Sequence, residues 1–382
     1  MFKIKEFVRR EFVYCGRRVS QAEDFSIALS MSGYVDTLAL LSIDSRRKDT
    51  PSLLCSATEV REFRGSLGAL SWLATMGRPD LSYSVSRLQG YTSAPCIEHM
   101  LECNQVIREA RKYRDFKLTF RALDLGSICF ASVNDASFAT MSNSKSQTGA
   151  FVFIGDSAFN SGAVGTVNCL AWRSSRQKRV ARSTFGAEAL ALGDGVDLAD
   201  FVRSIWYEVM GLGDLQDALL YAPTLHWVTD AKDVYDSLSK EGIPSPAERR
   251  LALDIVILKE LLGRPNNFLH WCDTSHMVAD GLTKSMQNDH IRQVLGSGIY
   301  SLTYSPECRQ ERKLPKAPIR SQKRSKVVTS LHSAVARVRF NLVPEIFSYK
   351  QDPGYLENTL LCGIEHAALF PSRRDQKKEE AV

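Results

Sequence analysis

"NCLAWRSSRQKRVARSTFGAEALAL", residues 168 to 192, changes character halfway along. Its first ten residues form a short β-rich run, and from Ser183 onward apolar residues recur at helical spacing. The helix so predicted continues to about Met210, with Phe185, Ala189, Leu192, Val196, Ala199, Trp206 and Met210 on one face. One turn inside it stands a lone carboxylate, Glu188, among small and apolar residues. An acid there ordinarily answers the positive end of the helix dipole and faces water, so Glu188 has to be judged by what surrounds it.

Working outward, two more β-rich runs precede it, "SICFASVND" (127–135) and "QTGAFVFIG" (147–155), with the Gly/Ser/Asn loop "DSAFNSGAVGTVN" (156–168) following the second. After it come a strand "LHWVTD" (225–230), a helix "AKDVYDSLSK" (231–240), a loop "EGIPSPAE" (241–248) and a helix "RRLALDIVILKELLG" (249–263). A strand "NNFLHWCD" (266–273) and a terminal helix around "HMVADGLTK" (276–284) complete the series. The order β-β-β-α-β-α-α-β-α predicts a mixed α/β layer fold. The first 120 residues read as mixed and mostly helical, with helices in "EVREFRGSLGALSWLAT" and in "RPDLSYSVSRLQG", the latter started by Pro79. Between Arg309 and Lys326 there are eight basic residues, one acid and two prolines, which predicts a basic, disordered linker and a loosely structured tail.

At 382 residues and 44% hydrophobic content the chain can bury a substantial core. Its net charge of +6, from 49 Lys and Arg against 43 Asp and Glu, suits a polyanionic partner without requiring one. Nine Cys, an odd number with no Cys-x-x-Cys pair, describe reduced and mostly buried thiols rather than a disulfide frame or a zinc ribbon. No apolar run is long enough to span a membrane, and "MFKIKEFVRREF" is too charged for a signal peptide, so an intracellular protein, cytoplasmic or nuclear, is expected.

Alternate residues of a strand share a face, which tests the acids in the β-runs. In "CFASVND" Asp135 shares the face of Cys129, Ala131 and Val133; in "LHWVTD" Asp230 shares that of His226 and Val228. Acids at strand ends are commonly turn-formers or helix caps. If the first and fourth strands are neighbours, however, Asp135, Asp230 and Glu188 converge at one sheet edge, and Asp280 on the last helix can close the group. Buried carboxylates in such a cluster call for cations. An all-oxygen donor set suits Mg²⁺ or Mn²⁺, and two ions about 4 Å apart serve phosphodiester hydrolysis.

"GALSWLATMGRPDLSYSVSRLQ", "SQTGAFVFIGDS", "LAWRSSRQKRVARSTFGAEALAL", "VTDAKDVYDSL" and "HMVADGLTK" resemble, in order, the end of reverse transcriptase and the ribonuclease H domain of copia-type retrotransposon Pol polyproteins. The resemblance covers roughly residues 10 to 290. It implies a ribonuclease H-like mixed sheet, with Asp135, Glu188, Asp230 and Asp280 as catalytic metal ligands for two Mg²⁺ (or Mn²⁺) ions. The implied substrate is an RNA–DNA hybrid, cut in its RNA strand. The chain departs from the family at Ser137-Phe138, where an acid-aromatic pair is usual, and at Thr229-Asp230-Ala231, where Cys-Asp-Asn is usual. "GYVDTLALL" only superficially echoes the polymerase box, since Thr37 stands for its second Asp, and no polymerase activity is expected.

The basic run supplies Arg173, Arg176, Gln177, Lys178, Arg179 and Arg182 as candidate phosphate contacts. Recognition through phosphates and 2′-hydroxyls, not base sequence, is expected of such a surface. His276, four residues before Asp280, is a candidate auxiliary residue, while His226 and His270 lie inside strands and are expected to be packed. The domain organisation expected is a reverse-transcriptase remnant over 1–121, a ribonuclease H-like domain over 122–290, and a linker and tail of unknown role over 291–382. Other Pol polyprotein domains are the expected protein partners, and no membrane is. The competing class is a catalytically inactive, decayed or repurposed copy that only binds nucleic acid.

Overall fold

The computed structural model describes residues 10–141, 144–156, 158, 164–213, 215–242, 249–285 and 288–301. The basic stretch 309–326 and the tail, the loop residues 243–248 and part of the Gly/Ser/Asn loop lie outside the described residues.

The expected mixed α/β layer fold forms. Its sheet joins β5 (Cys129–Met141), β6 (Lys145–Gly155), β7 (Val164–Arg176), β8 (Leu225–Thr229), β9 (Asn267–Trp271) and β10 (Ile299–Ser301). The strand order is β10-β7-β6-β5-β8-β9, with β5–β6 and β6–β7 antiparallel and β5–β8 and β8–β9 parallel. The long helix α6 (Thr184–Val209) crosses one face. Phe130, Val152, Ile154, Leu225 and Trp227 meet Ala189, Leu192, Val196 and Ala199 of α6, with Leu251, Ile255 and Leu258 of α9 (Arg249–Leu262) closing the layer. Strand alternation sends Ala131, Val133, Phe151, Phe153 and Val228 to the other face, under Val278, Ala279 and Leu282 and under Ile291 and Val294 of α10 (Asp289–Ser297). Met210, expected on the packed stripe of α6, is exposed because the helix has by then run past the sheet.

Small residues let α6 approach the sheet, and the position that demands one is Gly195. A Cβ there would lie 1.6 Å from Oδ1 of Asn134 and 3.1 Å from Oγ of Ser132, both buried on β5. Asn134 is itself held by a bond from Nδ2 to the Ser132 carbonyl at 3.0 Å.

The segment around "HMVADGLTK" corrects the sequence-based expectation. It is not an α-helix but two 3₁₀ turns, Thr274–His276 and Val278–Leu282. A compact turn fits here because β6 offers Gly149 beneath it: a Cβ at Gly149 would meet Thr283 Cγ2 at 2.7 Å and Leu282 Cβ at 2.8 Å.

The first 120 residues are helical in large part, with α1 (Ser32–Thr37), α2 (Ser45–Lys48), α3 (Ala57–Met76), α4 (Ser82–Gln89) and α5 (Ile97–Lys112). They also hold an antiparallel sheet that the sequence did not announce, β1 (Glu11–Tyr14), β2 (Arg17–Gln21), β3 (Ile27–Ser30) and β4 (Lys117–Phe120). These strands are short and largely half-exposed, so alternation is faint. Likewise, α7 (Leu215–Tyr221), α10 and β10 were not expected, whereas α8 (Lys232–Ser239) was. Among the described residues no helix is long and apolar enough to cross a membrane.

The helical segment is bonded to the larger sheet through buried polar groups. Arg78 clasps Asp80 with two bonds of 2.9 Å and donates Nη1 to the Ala110 carbonyl at 3.1 Å. Asp80 also receives Arg292 of α10 at 3.3 Å, and Asn288 donates to its backbone carbonyl. Trp172 Nε1 reaches the Ala74 carbonyl at 3.0 Å, and Gln147 Nε2 reaches Ser86 Oγ at 2.9 Å. Both partners of the Arg78–Asp80 pair are essentially inaccessible, so removing one strands the other. We expect Asp80→Ala to lower unfolding stability by about 3–5 kcal/mol, measured by urea denaturation; a loss under about 1 kcal/mol would contradict this assignment of the pair.

Candidate metal centre

β5 and β8 run parallel with Asn134 opposite Thr229, so the next residues, Asp135 and Asp230, lie side by side; Asp230 directly follows the end of β8, but Asp135 does not end its strand as the sequence suggested, because β5 continues beside β6 to Met141. Glu188 reaches them from the α6 layer. Its Oε2 accepts the Ala136 backbone N–H at 3.1 Å, and Ser183 caps α6 by accepting from Gly186 N at 3.0 Å, which fixes the first turn. Ligand oxygens of Asp135, Glu188 and Asp230 all lie within 4.8 Å of one another. Asp135 and Glu188 are buried and Asp230 is half-buried, with Oδ2 accepting from Thr274 Oγ1 at 2.8 Å.

Asp280 comes from the opposite layer, on the second 3₁₀ turn. It joins the group through Lys284, a residue that sequence reasoning passed over: Lys284 Nζ lies 2.6 Å from Asp280 Oδ1 and 3.6 Å from Asp135 Oδ2. Thr283 Oγ1 also donates to Asp135 Oδ2. The available signal was the spacing of Asp280 and Lys284, four apart like a helical ion pair.

Burial is the first cause of the electrostatics here. It raises the Asp135 carboxyl well above the ordinary carboxylate range; Lys284 and Thr283 oppose the rise, and Asp280 and Asp230 add to it. Glu188 is raised by burial and then by the charges of Asp135 and Asp230, and Asp230 is raised mainly by burial. Lys284 feels the same burial in the other direction, but the three aspartates outweigh it and its pKa rises. One ammonium thus faces four carboxyl groups. The donors are all oxygen and their mutual repulsion is only partly offset by Lys284, so the residues fit hard divalent cations.

The basic run is only partly on the surface. Arg173, Lys178, Arg179 and Arg182 are exposed and Arg176 is half-buried. Arg179 makes two 2.8 Å bonds to Asp254 of α9, and Arg176 lies against Gly90. Gln177 is buried, with Nε2 bonded to Thr148 Oγ1 at 3.1 Å and to the Ala187 carbonyl at 2.8 Å, so it ties the start of α6 to β6 and offers nucleic acid no surface. His276 pairs locally with Ser275 Oγ at 3.0 Å, and His226 and His270 are packed against each other between β8 and β9, with Nδ1 and Nε2 2.7 Å apart. Asp36, set aside as a polymerase ligand, is held by Arg114 through two 2.6 Å bonds.

No protein-family model matches the chain. It is 28% identical over 147 residues to the secreted RxLR effector protein 161 of Plasmopara viticola, covering 38% of this chain and 92% of that protein. It is 26% identical to a transposon Ty5-1 protein of Saccharomyces cerevisiae, over 36% of this chain and 48% of that one. It is also 30% identical to the retrovirus-related Pol polyprotein from transposon RE2 of Arabidopsis thaliana, over 39% of this chain but only 9% of the polyprotein. A solved RNase H1 isolated from compost aligns with 44% of the chain and 98% of its own length, at 16% identity and a TM-score of 0.28. Retrotransposon Pol polyproteins are therefore among the relatives of this chain, whose match spans a small part of the longest of them.

The raised carboxyls fix the sign of a pH effect. In the unfolded chain they ionise near pH 4, and in the fold only at higher pH. Their destabilising contribution is therefore absent below about pH 4, grows as pH rises through the folded values and is complete above them. In chelator, we expect Glu188→Gln to match the parent in melting temperature at about pH 4 and to exceed it by a few degrees, roughly 2–8 °C, at pH 8. Saturating Mg²⁺ should narrow or reverse that gap at pH 8. A gap that shrinks from about pH 4 to pH 8 in chelator would show that Glu188 is not held among like charges.

Proposed function

We propose that this chain, a relative of retrotransposon Pol polyproteins, is a ribonuclease H that hydrolyses the RNA strand of an RNA–DNA hybrid. The observation that carries this reading is the meeting of Asp135, Glu188 and Asp230 beside the interior β5–β8 pair, with oxygens within 4.8 Å of one another and Asp280 beside them. The divalent ions these residues would hold, two in number, supply Lewis-acid stabilisation of phosphoryl charge and a hydroxide nucleophile near neutral pH.

The residues divide the work by their position. Asp135, in the middle of β5, and Asp230, just past the end of β8, project together and form the shared floor of the site. Glu188, anchored to the Ala136 amide, is set at the rim on the α6 side, where it orients the attacking water's surroundings. Asp280, across the site, completes the ligand set, and Lys284 neutralises part of the charge on Asp280 and Asp135 before ions bind. Arg173, Lys178 and Arg182 would contact backbone phosphates, which reads no base sequence and favours recognition by backbone and 2′-hydroxyl. The organisation that accompanies this reading is a connection segment over 1–121 and a nuclease domain from 122 that includes the edge strand β10 at 299–301.

A 5′-labelled RNA strand annealed to DNA, incubated with the purified chain and Mg²⁺, should be cut, while the same strand annealed to RNA should not. Asp230→Asn and Asp135→Asn should each lower the rate by at least about 100-fold, the scale expected when stabilisation of developing charge is lost. Absence of cleavage, with salt-sensitive hybrid binding that Mg²⁺ and Asp230→Asn leave unchanged, would overturn the catalytic reading in favour of a binding-only relic.

A further inference from the structure

Among the described residues Lys284 is the cation that forms ion pairs within the acidic group, and it forms them unevenly. Its Nζ lies 2.6 Å from Asp280 Oδ1 and 3.6 Å from Asp135 Oδ2, and no such pair joins it to Glu188 or Asp230. The oxygens of Asp135, Glu188 and Asp230 meet within 4.8 Å of one another, and Asp280 is not part of that set. The group therefore divides into a trio of carboxyls and a pair, Asp280 and Asp135, that an ammonium already bridges. We propose that Lys284 is a built-in counter-cation: in the chain without substrate it limits the centre to one divalent ion, at Asp135, Glu188 and Asp230, and a second, shared by Asp280 and Asp135, enters only when the ammonium swings away. The proposal rests on the two-ion hydrolytic reading above and adds to it an order of filling.

The backbone of Lys284 is fixed, and its tip has room to leave. Lys284 N donates to the Asp280 carbonyl at 2.9 Å, and Thr283 donates to the same oxygen from N and from Oγ1, each at 3.1 Å. This turn sets the lysine directly over the acid. Its side chain is 42% exposed, whereas that of Asp135 is 1% exposed, so the flexible lysine stem can carry its charge into solvent while the aspartate stays in place.

An ammonium and a divalent ion compete here for the same lone pairs. Oxygen ligands sit about 2.1 Å from Mg²⁺, closer than Nζ comes to either aspartate, so an ion shared by Asp280 and Asp135 takes over the oxygens that Lys284 now holds. Formal charge points the same way. With the four carboxyls ionised, one divalent ion and the ammonium leave a single negative charge, and a second divalent ion added beside the ammonium reverses the sign. A phosphodiester brings one more negative charge, which offsets that second ion and gives the displaced ammonium an anion to face. Filling of the second position is thereby coupled to substrate.

The test counts ions without substrate or cleavage. The full chain, stripped of metal, is titrated with Mn²⁺, and unbound ion is read from the sharp paramagnetic resonance of hydrated Mn²⁺. The parent should bind one Mn²⁺ tightly and a second at least about 10-fold more weakly, and Lys284→Met should bring the two affinities at least about 10-fold closer together, a usual size for coupling between two ligands. Lys284→Gln, which keeps a polar side chain at this half-exposed position, should do the same. Adding Asp280→Asn to Lys284→Met should return the chain to one ion. Two equal affinities in the parent, or equal tightening of both ions in Lys284→Met, would overturn the proposal and leave the carboxylate centre and its hydrolysis intact. A parent chain that binds no Mn²⁺ would overturn the metal centre, and this proposal with it.

Discussion

Like charges held together out of water set the terms for this molecule. Asp135 and Asp230 emerge adjacent because β5 and β8 pair in parallel with Asn134 opposite Thr229, and Glu188 arrives from the layer above. The protein meets the repulsion with what it has: Ala136 N–H on Glu188, Thr283 and Lys284 on Asp135, and partial protonation of carboxyls whose pKa values burial has raised. Each is a partial answer, and together they describe a site pre-arranged for cations.

Much of this was readable from residue order. The β-β-β-α-β series, the buried face shared by Asp135 and the acid inside α6 required only periodicity of two and of 3.6, since each element is packed on at least one face, but the continuation of β5 past Asp135 to Met141 was not readable. What could not be read has physical reasons. β1 to β4 have four or five residues each and little burial, and β4 pairs with β3 across nearly ninety residues of helix and loop. Their hairpin turns on Cys15 and Gly16, both with positive φ, where Cys is not a residue that advertises such a turn. The 3₁₀ turns beneath Asp280 mimic a helix in spacing, and Gln177 looked like part of a basic surface because its two interior bonds depend on tertiary neighbours.

The helical segment before residue 121 is bound into the same described body. Arg78, Asp80, Arg292 and Asn288 form a polar knot at the junction, and Trp172 and Gln147 add bonds from β7 and β6. Buried polar groups are costly unless each finds a partner, so such a junction admits few alternative dockings. The sheet that carries the acids thus has a defined neighbour on the β6–β7 side.

Gly149 links these observations. It stands on β6 opposite Asp135, and the turn bearing Asp280, Thr283 and Lys284 lies in the gap left by its missing side chain. That turn touches the carboxylate trio only through side chains, whereas Asp135, Glu188 and Asp230 are built into the sheet and its main helix. The centre is therefore modular: three acids belong to the frame, and the fourth acid with its lysine forms a plug seated on a bare patch of strand. Such a plug can be re-tuned as one piece, altering charge and ion preference together, without disturbing the frame that holds the other three.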